Sequence, residues 1–138
     1  MSPTCNKKLG LSNVTIASRL SNLATSTCST SLNTSLTNSE PELAKINALN
    51  FVPALYCPHY NSDPERKAKL KEIMRETTEI ALAFDDCCAI EIVDNEYRIL
   101  ASNKTANAYR VFWKNGMFQE EIIEKKDTYS PIDELLKK

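Results

Sequence analysis

Asn115 and Gly116 stand between two runs of strand-forming residues, AYRVFWK (108–114) and MFQEEII (117–123). No other dipeptide in the chain constrains its folding so closely. A two-residue type I′ turn needs positive φ at both central positions, which asparagine and glycine tolerate and most residues do not. The two runs are therefore predicted to fold back on each other as an antiparallel hairpin. A second hairpin is predicted just upstream, where CAIEIV (88–93) and YRILAS (97–102) are separated by Asp94-Asn95-Glu96. Together these runs predict an antiparallel meander at one edge of a sheet.

Ahead of the meander the pattern changes. Ser62 or Asp63 suits a helix cap, Pro64 the first helical position, and Glu65 the positive end of the helix. Ala68, Leu70, Ile73, Met74, Thr77 and then Ile80 or Ala81 recur at helical spacing, which predicts a helix over 64–78. It is flanked by INALNFVPALYCPHY (46–60), an apolar strand-like run interrupted by prolines, and by IALAF (80–84), a short apolar run suited to a buried strand. SPIDELLKK (130–138) predicts a short terminal helix capped by Ser130, with Pro131 next. A helix between strand-like runs, followed by a meander, gives the α/β class.

At 138 residues the chain fits one domain, 1–138, large enough to bury a core. Its front is unlike the rest. Residues 11–39 are rich in Ser, Thr and Asn, nearly uncharged, and carry only a sparse leucine pattern, so this segment is read as polar and weakly patterned. Residues 41–138 form the conventional α/β portion. The formal net charge of −1 gives no argument for a nucleic-acid or membrane-surface partner. No apolar run approaches the roughly 20 residues that span a bilayer, and MSPTCNKKLG lacks a signal-peptide core. A cytoplasmic location is expected. The five cysteines are odd in number and are expected to be free thiols, and adjacency makes a Cys87–Cys88 bridge strained.

His59 is the single histidine, set in a Pro-containing turn after an apolar run and before the capped helix. A lone histidine is often a structural residue. At the carboxyl end of a strand in an α/β sheet, however, it stands where chemistry is usually placed. Asp85 and Asp86, in AFDDCCAIEI, are either solvated turn residues or include the acid that orients the imidazole. Gly10-Leu11-Ser12 resembles the front of a nucleophile elbow, but Val14 stands where that elbow needs glycine. Cys57, His59, Cys87 and Cys88 could be imagined as a zinc or redox site. Their C-x-H and C-C spacings match no common zinc pattern, and buried free cysteine accounts for Cys87 and Cys88 more simply.

Taken together, LNFVPALYCPHYNSDPERK and IALAFDDCCAIEIVDNEYRILASNKTANAYRV resemble the peptidase E (aspartyl dipeptidase) family, in its branch with a CPHY sequence, over about residues 46–138. The resemblance implies a serine peptidase on a flavodoxin-like, class I glutamine-amidotransferase-like α/β fold. It implies hydrolysis of a dipeptide bond after an N-terminal aspartate; no cofactor and no metal are expected. His59 matches the family's histidine, Asp86 falls at its acidic member, and Ser12 falls near its elbow serine. The elbow itself departs from the pattern, with Ser12-Asn13-Val14 in place of Ser-Ala-Gly. The family's preceding strands and Gly-rich loop have no counterpart here, so an N-terminally truncated sheet is expected. Its open edge would favour self-association. The alternative expectation is a non-catalytic remnant serving as an interaction module.

Overall fold

Two short apolar runs, VPALYC and ALAF, settle the architecture, because apart from Pro53 every residue in them is buried. A strand enclosed on both faces needs a layer on each side. The computed structural model describes residues 13–17, 28–36, 41–47 and 52–138. In chain order its strands are β1 (Asn13–Ala17), β2 (Cys28–Leu36), β3 (Pro41–Asn47), β4 (Val52–Cys57), β5 (Ala81–Phe84), β6 (Cys88–Val93), β7 (Glu96–Ala101), β8 (Ala108–Lys114), β9 (Met117–Ile123) and β10 (Ser130–Pro131). Helix α1 (Pro64–Ile73) lies between β4 and β5, and α2 (Asp133–Leu136) is near the end.

Among the described residues the strands form a six-stranded sheet, ordered β3-β2-β4-β5-β8-β9, and a four-stranded one, ordered β1-β6-β7-β10. β2, β4 and β5 run parallel, while β3, β8 and β9 pair antiparallel at the flanks. This is the mixed α/β class expected. The antiparallel run divides between the two sheets. β8 and β9 form the edge of the larger sheet, whereas β6 and β7 leave it for the smaller one. β1 and β2 lie within the Ser/Thr/Asn-rich 11–39 segment; β1 pairs with the distant β6, and β2 pairs with its chain neighbour β3 and with β4.

The pleat sorts side chains into two cores. Ala54 and Tyr56 of β4 and Leu82 and Phe84 of β5 face the smaller sheet, whose Ile90 and Ile99 close that core. Leu55, Cys57, Ala81 and Ala83 face the other way, toward Leu70 and Met74 at the helix. The small alanines leave room for those two larger side chains. The molecule is thus layered as helix, six-stranded sheet and four-stranded sheet.

Local chemistry sets the ends of α1. Asp63 has extended φ/ψ of −126° and 99°, and its carboxylate accepts the backbone N–H groups of Glu65 and Arg66 at 3.2 and 3.3 Å. The helix was expected to reach 78, but it ends at Ile73 and tightens into a 3-10 turn over Met74–Glu76. Thr77 then turns extended, and its hydroxyl accepts the Glu79 N–H at 2.8 Å, a local bond that competes with helix. At the C-terminus Ser130 does not cap. It pairs with Tyr97 in the short β10, and α2 starts after Ile132 with no side-chain cap. Asn115 and Gly116 take φ of 52° and 75°, as the type I′ hairpin requires, and Lys114 pairs with Met117 across the turn.

Two substitutions separate packing from backbone effects. Phe84→Ala opens a fully buried site and is predicted to cost about 3–5 kcal/mol. Gly116→Ala meets nothing within 4 Å but sits at φ 75°, so only about 1–2 kcal/mol of backbone strain is expected. Urea denaturation measures both.

Candidate active site

The carboxyl ends of parallel strands are where an α/β sheet usually places chemistry. β4 and β5 are parallel neighbours with Cys57 opposite Ala83, so the loops that follow them emerge side by side. The first loop carries His59, Tyr60 and Asn61; the second carries Asp85, Asp86 and Cys87. Three successive residues of the first loop reach the second loop or the end of the strand that leads into it. His59 Nδ1 lies 2.5 Å from Asp86 Oδ1. The Tyr60 N–H donates to the Phe84 carbonyl at 3.0 Å. Asn61 Nδ2 donates to Asp85 Oδ1 at 2.7 Å.

A carboxylate only accepts, so Nδ1 carries the proton in this contact. In the neutral form of the ring the lone pair is then on Nε2, and among the described residues no hydrogen bond reaches that nitrogen. The side chains of His59 and Asp86 are 36% and 35% exposed, so the pair is open to a ligand while partly shielded by the loops.

The backbone at this site is unusual. His59 and Cys87, on either side of the contact, have φ of 56° and 63°. The other non-glycine residues with positive φ among those described, Asp94 and Asn115, are in tight hairpin turns. Left-handed backbone at a bulky residue costs roughly 1–2 kcal/mol, and such strain persists only where surrounding bonds impose it. Here the His59 carbonyl accepts the Asp63 N–H at 3.2 Å, tying the strained residue to the cap of α1.

Asp85 and Asp86, indistinguishable in sequence, have different partners. Asp86 takes the imidazole. Asp85 accepts from Asn61 Nδ2, from the Asn107 N–H at 3.0 Å and from the Tyr109 hydroxyl at 3.2 Å. Burial raises the Tyr109 phenol above its ordinary pKa, with the Asp85 carboxylate adding to the shift, so the hydroxyl stays a donor. Sequence reading missed Asn61, Asn107 and Tyr109. The polar run Asn61-Ser62-Asp63 after His59 was the one available hint.

Ser12, the serine read as the front of an elbow, lies outside the described residues. The next residue, Asn13, pairs with Val93, while Ala17 pairs with Ala89. Asn13 is therefore at the end of β6 remote from Asp86, about 17 Å along the strand.

Cys57 is fully buried between β4 and α1, and its thiol lies 3.8 Å from the Pro58 carbonyl oxygen. Burial pushes the thiol up to about 12 from its ordinary 9.0, only partly opposed by the charge of Arg66. It is protonated at neutral pH and offers neither a thiolate nucleophile nor a metal ligand. Cys88 is buried in the other core. Among the described residues no group of three His, Cys, Asp or Glu side chains could hold a metal ion, and no helix is long and apolar enough to cross a membrane. A pocket of about 320 Å³ lies away from the His59 loop, beside β7, lined in part by Arg98, Lys104, Lys125 and Lys126. Three of these cations are already engaged: Arg98 by Glu91, Lys126 by Glu124, and Lys125 by the carbonyls of Lys104 and Ala106.

The family model of peptidase family S51 matches residues 21–100, more than half of the chain, and the matched stretch contains His59, Asp85 and Asp86 but not Ser12. No curated protein matches the chain.

The buried thiol predicts a pH dependence. In the unfolded chain Cys57 ionises near 9.0, but the fold holds the proton until about 12. The unfolded state therefore binds fewer protons across that window, and stability falls as pH rises through it. Urea midpoints measured at pH 7 and pH 10 should drop less for Cys57→Ala than for the unsubstituted chain.

Proposed function

The chain belongs to peptidase family S51, and on that premise we propose that it is a serine-type, dipeptidase-like hydrolase acting on small peptides with an N-terminal aspartate. One observation carries the reading: His59 turns Nδ1 to Asp86, with no hydrogen bond to Nε2 among the described residues. That is the arrangement of a general base with its orienting acid. In the reaction a serine hydroxyl attacks the scissile carbonyl while Nε2 takes its proton. The imidazolium formed is stabilised by Asp86, and it returns the proton to the leaving amine as the C–N bond breaks. Water then releases the acyl group by the same route. Peptide specificity and the nucleophile, Ser12, come from the likeness to aspartyl dipeptidases.

A second reading, a non-catalytic remnant that serves as an interaction module, is favoured by the pairing of Asn13 with Val93. That pairing sets the neighbour of Ser12 at the wrong end of β6 for a serine working beside His59.

Two measurements decide. On an Asp-X dipeptide, His59→Ala is expected to abolish turnover, and Asp86→Asn to lower kcat by about 10³–10⁴-fold, as loss of the orienting acid does in a serine triad. Equal rates in His59→Ala and the unsubstituted chain would remove the histidine from the chemistry. A fluorophosphonate probe is expected to label the chain, and Ser12→Ala to lose the label. Label that survives Ser12→Ala but not His59→Ala assigns the nucleophile to another hydroxyl. No label at all, together with no turnover, leaves the remnant.

A further inference from the structure

We infer that Asp85 is a positioning residue that holds the His59–Asp86 pair together. This rests on the reading of that pair as base and orienting acid. The carboxylate of Asp85 bonds to three groups from two separate segments: Asn61 in the loop after β4, and Asn107 and Tyr109 at the start of β8. The link to Asn107 is reciprocal, since the Asp85 N–H donates to the Asn107 carbonyl at 3.0 Å while the Asn107 N–H donates back to Oδ2. Asn61 Nδ2 also reaches the Tyr109 hydroxyl at 2.9 Å, which closes a triangle of side chains. Asp85 thereby fixes both loops to the frame of β8. Its two chain neighbours serve the same junction: the Phe84 carbonyl receives the Tyr60 N–H, and Asp86 receives His59.

The chemistry specifies a carboxylate. Among the described residues each partner of the Asp85 side chain is a donor: an amide N–H, a side-chain NH2 and a hydroxyl. Oδ1 meets Asn61, and Oδ2 meets Asn107 and Tyr109. An asparagine in its place would set its own NH2 against at least one of these donors. The loop would shift, and with it Asp86, the next residue. A shift of about 1 Å at a reacting pair is enough to reduce rate by up to about 10²-fold.

The test uses the full chain and proton NMR. His59 is the only histidine, so any downfield imidazole N–H signal reports on one ring. The unsubstituted chain is expected to show such a signal from Nδ1–H, and Asp86→Asn to lose it. Asp85→Asn, with its fold checked by circular dichroism, is expected to move the signal upfield and speed its exchange with water. It should also lower kcat on an Asp-X dipeptide by about tenfold or more with KM nearly unchanged. A folded Asp85→Asn that melts earlier but keeps the signal's position and exchange rate overturns the inference, because Asp85 would then be merely structural. Should Asp85→Asn not fold, Tyr109→Phe removes one donor from the triangle and is expected to shift the signal in the same direction by less. An unmoved signal there overturns it equally. A chain that hydrolyses nothing yet shows the Asp85-dependent signal would sink the proposed activity and leave this inference standing. A chain with no downfield signal at all would sink both.

Discussion

β4 and β5 lie side by side, in parallel, with their ends level, and this one pairing supports everything at the candidate site. The register that sets Cys57 opposite Ala83 brings two irregular loops out at the same point. Residues 59–61 then bond to residues 84–86 through an imidazole, a backbone amide and a carboxamide in turn. None of these bonds is strong alone, since a typical intramolecular hydrogen bond contributes about 1 kcal/mol net. They share a geometry fixed beforehand by two strands enclosed on both faces. Burial of a large apolar side chain contributes about 1.5–3 kcal/mol, and Leu55, Tyr56, Leu82 and Phe84 supply four of them in two adjacent strands. The site therefore takes its order from the core beneath it.

Much of this was legible in the sequence, and the reasons are local. Asn115-Gly116 is read correctly because its requirement for positive φ belongs to two residues alone. Asp63 and Pro64 announce the start of α1 for the same reason. The C-terminal end of α1 was misjudged because a side-chain bond from Thr77 overrides the apolar spacing. Ser130 was misread because a tertiary pairing with Tyr97 competes with capping. The split of the antiparallel run between two sheets is a choice among long-range partners, which alternation cannot report. At the site, His59 and Asp86 were legible as residue types in a turn after a strand. The separate task of Asp85 was not, because it depends on Tyr109 and Asn107 arriving from β8.

The family match and the geometry bear on different parts of the chain. The matched stretch, 21–100, holds both loops of the site and the strands that carry them. β8, whose Tyr109 and neighbouring Asn107 anchor Asp85, lies beyond it. The pair at positions 59 and 86 thus sits on family structure but is braced by a segment outside the match.

His59 occupies a left-handed backbone position, φ 56°, where asparagine or glycine would fit with less strain. Judged by thermodynamics alone, histidine is a poor tenant there. Random substitution filtered only for foldedness would be expected to replace it readily, since relieving the strain would leave the molecule more robust. The same backbone turn that carries this strain sets the imidazole 2.5 Å from Asp86, so asparagine or glycine at position 59 would relax the loop and lose that contact together.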